Sequence, residues 1–320
     1  MNPKKDPLVT IVTLTYKNFD NIYNTISSVF EQNYDEIEYF VSDDGSPFFP
    51  ENRISEYMVK NAPKNIKYQI ICNKMNVGTV KHINSVYKIA KGTYIIPLSC
   101  GDEFTSPDTV AQIVKRFNEK KSEIVCAARC LVDKRGNMIR NMPCKLYYYK
   151  IRKLNTAEMQ HKAFMLQEFY EIASGSSTYI KKELWEAMGG FDEKYRLWED
   201  GPFYEKITGR GVCIDFAYKL CTIRYLVGGV SNGANINPML KQDVLNYNED
   251  LLDRIDYLGL TKFEKRKLKF ISARCKQIPD LSKCYLDVVI WRSIDHIFRK
   301  VSIFLDKNIS ARSRGDRICK

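Results

Sequence analysis

The sequence predicts an α/β protein built on a mostly parallel sheet with helices on both faces. Two observations carry that expectation. Between residues 8 and 132, short apolar, β-branched runs alternate with segments whose apolar residues recur every three or four positions. Two of those runs also stop abruptly in small residues and acids. Ile37 to Val41 leads into Ser42-Asp43-Asp44-Gly45-Ser46, and Tyr94 to Leu98 into Ser99-Cys100-Gly101-Asp102. A strand ending this way sets an oxygen ligand at the carboxyl edge of the sheet, where open α/β sheets bind their ligands. Two such strands on one rim suit a divalent cation and a phosphorylated molecule.

The elements follow in order. Leu8 to Leu14 is a strand by composition, and Ile22, Ile26, Val29 and Phe30 keep helical spacing after it. Ile37 to Val41 is the second strand, Glu51 to Lys60 a helix, and Ile66 to Ile71 the third strand. Asn76-Val77-Gly78 makes a turn, and a helix from Thr79 to Lys91 closes on Gly92, read as a C-terminal glycine. Tyr94 to Leu98 is the fourth strand, Pro107 opens a helix to about Lys120, and Ile124 to Val132 is the fifth strand. Then the rhythm changes. The run Leu146 to Lys150, with Tyr147-Tyr148-Tyr149, reads as a strand on the core, with a sugar-stacking platform as the competing reading. A helix is expected over Thr156 to Ile172, a strand over Thr178 to Ile180 and a helix over Lys182 to Met188. Trp198-Glu199-Asp200-Gly201 opens a helix ending near Gly209, and strands Val212 to Phe216 and Leu220 to Val227 follow. From Pro238 the chain reads as helices. This gives a domain over 1–235 and a helical, basic C-terminal extension over 236–320, with a soft boundary near 235.

A chain of 320 residues, 44% hydrophobic and 28% charged, has the composition of a soluble globular protein. The net charge of +12 is uneven: residues 261–320 hold sixteen Lys/Arg against six Asp/Glu. Such a tail suits anionic membrane lipid or nucleic acid, and no nucleic-acid reader motif accompanies it. Within it Leu286, Val289, Ile290, Ile294, Ile297, Phe298, Val301, Phe304 and Leu305 keep three-and-four spacing, interspersed with Arg292, Arg299 and Lys300. This is the pattern of a basic amphipathic helix on a membrane surface, or of a helix packed on the body or on a second subunit in a homo-oligomer. Ten cysteines at irregular spacing point to reduced thiols rather than a disulfide scaffold or a zinc site. No segment reads as a signal peptide or a membrane span. The expected location is the cytoplasm, including the inner face of the cell membrane.

Three acid clusters fall at element ends: Asp43/Asp44, Asp102/Glu103 and Glu199/Asp200. Singly, each reads as a turn or cap. Together they suit a diphosphate, the cation that neutralises it and a base for a hydroxyl. His82, His161 and His296 have no ligand spacing and read as packing or surface residues.

These segments resemble a family of glycosyltransferases, family 2, with a GT-A (Rossmann-like) nucleotide-sugar-binding fold. The resemblance covers about residues 7–230. Val9 to Tyr16 resembles the family's first strand and nucleotide-contacting turn. Ser42-Asp43-Asp44-Gly45-Ser46 resembles its "DDGS" motif, and Asn76-Val77-Gly78-Thr79-Val80-Lys81 with Asn84 its "NxG" stretch. Gly189-Gly190-Phe191-Asp192 with Trp198-Glu199-Asp200 resembles "GGFDE…ED". Leu98 to Asp102 stands where the metal segment lies, but the usual acids at its first and third places are Ser99 and Gly101 here, leaving Asp102 alone.

The resemblance implies inverting transfer in one displacement. Asp200, with Glu199 beside it, would take the acceptor proton, and Asp102 would hold Mg2+ or Mn2+ on the departing diphosphate. Asp44 would contact the nucleobase, expected to be uracil. Thr15, Tyr16, Lys81 and Gly101 would line the nucleotide, although Lys81 reads equally well as a solvated helix lysine. The Ser174-Gly175-Ser176-Ser177 loop would approach the donor sugar, with a plain loop as the competing reading, and Trp198 would wall the acceptor pocket or sit in the core. The implied partners are a nucleotide-sugar donor and a glycan or lipid-linked acceptor in surface-polysaccharide synthesis. The rival reading is a catalytically silent nucleotide-sugar-binding or scaffold protein.

Overall fold

The computed structural model describes residues 6–133, 135–144, 147–168, 172–226 and 237–318. Leu146, residues 169–171 and Val227, each assigned above to an element, lie outside the described residues, as does the boundary near 235.

Nine strands form one sheet: β1 (Val9–Thr15), β2 (Ile37–Asp43), β3 (Ile66–Cys72), β4 (Tyr94–Pro97), β5 (Glu103–Phe104), β6 (Ile124–Val132), β7 (Met138–Met142), β8 (Thr178–Lys181) and β9 (Asp215–Leu226). Their order is β3-β2-β1-β4-β8-β6-β9-β5, with β7 also paired to β6. The first four are parallel, as the strand–helix alternation predicts. Beyond β4 the sheet is mixed. β8 inserts antiparallel between β4 and β6, and β9 runs parallel to β6.

Side chains alternate across the sheet, so successive strand residues feed different cores. Val9, Ile11, Ile37, Tyr39 and Val41 pack with helices Ile22–Phe30, Glu51–Asn61 and Thr109–Lys120. Val12, Phe40 and Ile95 pack with helices Thr79–Ile89, Lys182–Ala187 and Asp200–Gly209 on the other face.

The chain moves from β1 outward to β2 and β3, then returns to place β4 on the opposite side of β1. The sheet order therefore reverses between β1 and β4. At such a switch point the loops leave in opposite directions and open a crevice at the carboxyl ends. Thr15 and Tyr16 leave β1 there, and Ser99 to Asp102 follow β4 there. Asp43 and Asp44 leave the neighbouring β2, where Asp44 N–H donates to Thr15 O at 3.0 Å.

Four expectations need correction. Gly92 is not a helix cap: the helix ends at Ile89, and Ala90 turns into extended backbone. Gly92 instead lies against β1, where a Cβ would stand 2.4 Å from Thr10 N. Tyr148 and Tyr149 belong to a short helix, Tyr148–Lys153, rather than a strand. Tyr147 is buried on Ile151 and Ile172, and Tyr149 faces solvent. The expected strands at 212–216 and 220–227 are one strand, β9, whose register shifts against β6 at Ala127 and Ala128. The helix starting at Ala157 stops at Met165.

The C-terminal helices Pro238–Asp253 and Lys262–Cys275 share a core with the body. Tyr247, Leu251, Leu260 and Leu268 pack with Val80, Met165, Leu166 and Tyr195. Helix Leu286–Ile318 is amphipathic in an inverted sense. Its buried positions include Ser302 and Asp306, and Asp295 pairs with Lys150 of the body. Its apolar stripe of Leu286, Ile290, Ile294, Ile297, Val301 and Phe304 faces outward, with Ile294 62% and Phe304 64% exposed. Among the described residues, no helix is long and apolar enough to cross a membrane.

Candidate active site

Asp44 is buried at the crevice, and its carboxylate accepts four hydrogen bonds. Asn73 Nδ2 (2.9 Å) and Val77 N–H (3.0 Å) donate to Oδ1; Asn76 Nδ2 (2.8 Å) and Gly78 N–H (2.9 Å) donate to Oδ2. A carboxylate has about four lone-pair directions, so this one is saturated by the Asn73–Gly78 loop. Asp43 accepts from Ser46 N–H and Ser46 Oγ, both at 2.6 Å, and closes its own turn. The acidic motif after β2 therefore shapes one side of the crevice by fixing two loops. Ser42 Oγ meets buried His82 Nε2 at 2.6 Å beneath them, and burial lowers the His82 pKa, favouring the neutral ring.

Thr15 is buried, with Oγ1 donating to Asn18 O at 2.9 Å, while Tyr16 is 41% exposed at the mouth. Lys81 is exposed on helix Thr79–Ile89. Gly101 N–H donates to Thr25 Oγ1 at 3.0 Å, and Asp102 is buried beside it, with its N–H on Ser99 O. Burial raises the Tyr179 hydroxyl, and the Asp102 charge adds to that rise.

The donor set here does not complete a cage for a divalent ion. Asp102 is the one acid in the segment, and Cys100 is no thiolate, because burial pushes its thiol up to about 12. Among the described residues no group of three or more His, Cys, Asp or Glu could hold a metal. The unmatched positions are Ser99 and Gly101, as the sequence indicates.

Glu199 and Asp200 stand where helix Asp200–Gly209 begins. Gly175 N–H donates to Asp200 Oδ2 at 2.8 Å, and Gly201 N–H to Oδ1 at 2.7 Å. The approach is close: a Cβ on Gly175 would lie 2.7 Å from Glu199 Oε1. Both residues are partly exposed as wholes, while their carboxyl groups are enclosed. Enclosure raises both pKa values, and the neighbouring Asp200 charge helps push Glu199 up to about 8. The two backbone N–H groups, the nearby Arg129 and the Trp198 side chain oppose that rise for Asp200. Burial and the neighbouring charge therefore favour a protonated Glu199, while the N–H donors and Arg129 favour the charged form of Asp200 against its own burial.

Residues outside this pair hold it in place. Asn84, on helix Thr79–Ile89, donates to Phe191 O (2.9 Å) and accepts from Phe191 N–H (3.0 Å), pinning the Gly189–Asp192 segment. Asp243, on helix Pro238–Asp253, is buried and accepts the N–H groups of Arg196, Leu197 (2.6 Å) and Trp198 (3.2 Å). The first extension helix thus fixes the chain that leads into Glu199 and Asp200. Trp198 also packs edge-on to Tyr247 of that helix, with centroids 5.2 Å apart, so it belongs to the frame of the site. The sequence gives no sign of Asp243, since nothing in a lone helix aspartate tells what it faces. Arg129 does have a sign in the sequence: it is the one charge in the apolar run Ile124–Val132.

Residues 10–179, just over half of the chain, match the family described as Glycosyl transferase family 2. The chain belongs to this family. An uncharacterized glycosyltransferase of Haemophilus influenzae is 30% identical over 223 residues, which are 68% of this chain and 65% of that protein. The chain thus spans just under two thirds of that relative's length. Among solved structures, S. aureus TarS 1-349 in complex with UDP-GlcNAc is similar, with TM-score 0.58 and 16% identity over 84% of this chain and 71% of that one. The full S. aureus TarS structure is similar at TM-score 0.56 and 17% identity, over 83% of this chain and 42% of that one. A mannosyltransferase from Pyrobaculum calidifontis in complex with GDP-Man and Mn2+ gives TM-score 0.57 and 16% identity over 96% and 86%. At these identities the structural likeness establishes the fold, a GT-A-type α/β architecture.

Proposed function

We propose that this family 2 protein transfers a sugar, with inversion, from a nucleotide-sugar donor to a hydroxyl of a glycan or lipid-linked acceptor in surface-polysaccharide synthesis. The observation that carries the reading is the enclosed Glu199/Asp200 pair at the start of helix Asp200–Gly209, where Gly175 N–H and Gly201 N–H donate to Asp200. Asp200 takes the proton of the attacking hydroxyl, and Glu199 stays neutral so that no second charge faces the donor. Thr15, Tyr16, Gly101 and Lys81 line the nucleotide, and the Asp44-anchored loop shapes its base pocket. UDP is the nucleotide we favour, because a neighbour of the same fold is bound to UDP-GlcNAc. Mg2+ or Mn2+ has one carboxylate available, Asp102, so such an ion would come with the nucleotide and hold chiefly to its phosphates.

The test is a thermal-shift screen of UDP, GDP and their sugar conjugates, with Mn2+ and with EDTA. One nucleotide should raise the melting temperature, by mass action equivalent to about 2.7 kcal/mol at a hundredfold excess over Kd. No shift with any of them sinks the reading. Binding without transfer to any acceptor hydroxyl supports the silent binding protein, which the single acid at the metal segment favours.

The outward stripe on helix Leu286–Ile318 supports attachment to an anionic membrane. Apolar side chains turned to water need a cover, and the sixteen Lys/Arg of residues 261–320 suit anionic headgroups better than a second, equally basic copy. Ile294→Asp combined with Ile297→Asp is expected to abolish co-sedimentation with vesicles rich in anionic phospholipid. Undiminished co-sedimentation would reject the role. These exposed positions are better probes than deleting 261–320, because that deletion removes Leu268 from a core shared with the body.

A further inference from the structure

Arg129 is an unusual residue to find inside a sheet. It lies on β6, past the point where β6 leaves its pairing with β8 at Cys126 and Thr178. It is 4% exposed. A guanidinium carries five N–H donors and stays charged at any physiological pH. Among the described residues only Ser177 Oγ accepts from it, from Nη1 at the long distance of 3.5 Å, and Nε is buried with no partner. Its other contact is the Tyr225 ring, 5.5 Å from the guanidinium carbon. No carboxylate oxygen comes within ion-pair distance of it among the described residues. Burying a cation with its donors unspent costs several kcal/mol, a cost tolerated where an anion completes the site.

The position says which anion. Ser177 ends the loop whose Gly175 N–H holds Asp200, and Arg129 is close enough to Asp200 to oppose the rise of its pKa. Tyr179, two residues after Ser177, feels the charge of Asp102. Arg129 therefore lies, by way of Ser177 and Gly175, beside the loop that holds Asp200 at the start of β8. That is the part of the crevice where negative charge collects as a nucleoside diphosphate departs.

We propose that Arg129 is a diphosphate-binding residue of the donor site, supplying from a side chain a positive charge that Ser99 and Gly101 cannot recruit through a cation. The inference rests on the donor reading above. The guanidinium fork matches two phosphate oxygens at once, and the enclosed site strengthens each charge-assisted bond. No bond is made or broken on Arg129. It holds the donor before transfer and the diphosphate product after it.

The experiment measures binding of UDP and GDP by calorimetry in EDTA, for the wild type, Arg129→Lys and Arg129→Met. Circular dichroism and melting curves without ligand establish that each variant is folded. The expected result is that the wild type binds one nucleotide in EDTA and Arg129→Met weakens it about 10- to 100-fold. Arg129→Lys, which keeps the charge and loses the fork, should fall between the two. The matching nucleoside without phosphates should bind all three proteins equally. If a folded Arg129→Met binds the diphosphate as the wild type does, or if wild-type binding appears only when Mn2+ is added, the inference fails while the donor reading stands. If the wild type binds neither nucleotide in EDTA or with Mn2+, both fail.

Discussion

Asp200→Asn is expected to lower the transfer rate about 10²- to 10⁴-fold, the usual contribution of a positioned base, while nucleotide affinity changes less than about twofold. The substitution keeps the shape of the side chain and one acceptor, which can stay on Gly175 N–H and hold the loop, at the cost of the bond from Gly201 N–H. It removes the charge that accepts the hydroxyl proton. The measurement is initial rate against nucleotide affinity on the same preparation. Equal losses in both would mean that Asp200 acts through donor binding, and an unchanged rate would remove it from the chemistry. The pH profile adds an independent check. Enclosure raises the Asp200 pKa, so the rate should rise with pH along an acid limb lying above the ordinary aspartate range. An acid limb at the ordinary value would mean that the carboxyl is solvated when it works.

Asp44→Ala is expected to destabilise the nucleotide-free protein by about 3–5 kcal/mol, because it strands two backbone N–H groups and two amides that share one acceptor. In a chain of this size that corresponds to a melting-temperature fall of about 4–7 °C. Nucleotide affinity should fall as well, since the Asn73–Gly78 loop loses its anchor. The comparison separates two roles for one residue. A large stability loss without ligand identifies Asp44 as the loop's anchor. Lost affinity with unchanged stability would identify it as a direct contact to the base.

Much of the fold was legible in the chain. Seven strands and most helices lie where apolar spacing predicts them, and Ile124–Val132 matches its strand to the residue. The departures share a cause. β5 and β7 are short, or carry little apolar content, and exist through their partners: Glu103 and Phe104 become a strand by pairing with Arg224 and Ile223. Gly92 carries the sequence mark of a helix end, yet its lack of a Cβ serves contact with Thr10, eighty-two residues earlier. The site divides in the same way. Asp44, Asp102, Glu199 and Asp200 stood out because each follows an abrupt change in the chain. Asp243 did not, because its importance lies in what surrounds it, and Arg129 shows in the sequence only as a lone charge in an apolar strand.

The sequence alone determined the alternating α/β frame, the acids that leave its strands and helices, and the family to which the chain belongs. These depend on period and local composition, which a chain carries whether or not it is folded. Tertiary structure decided that Asp44 spends its carboxylate on a loop, that burial and the Asp200 charge raise Glu199, and that Arg129 is buried beside Ser177. Those outcomes depend on desolvation and on partners far apart along the chain, quantities that exist only once the sheet has closed around them.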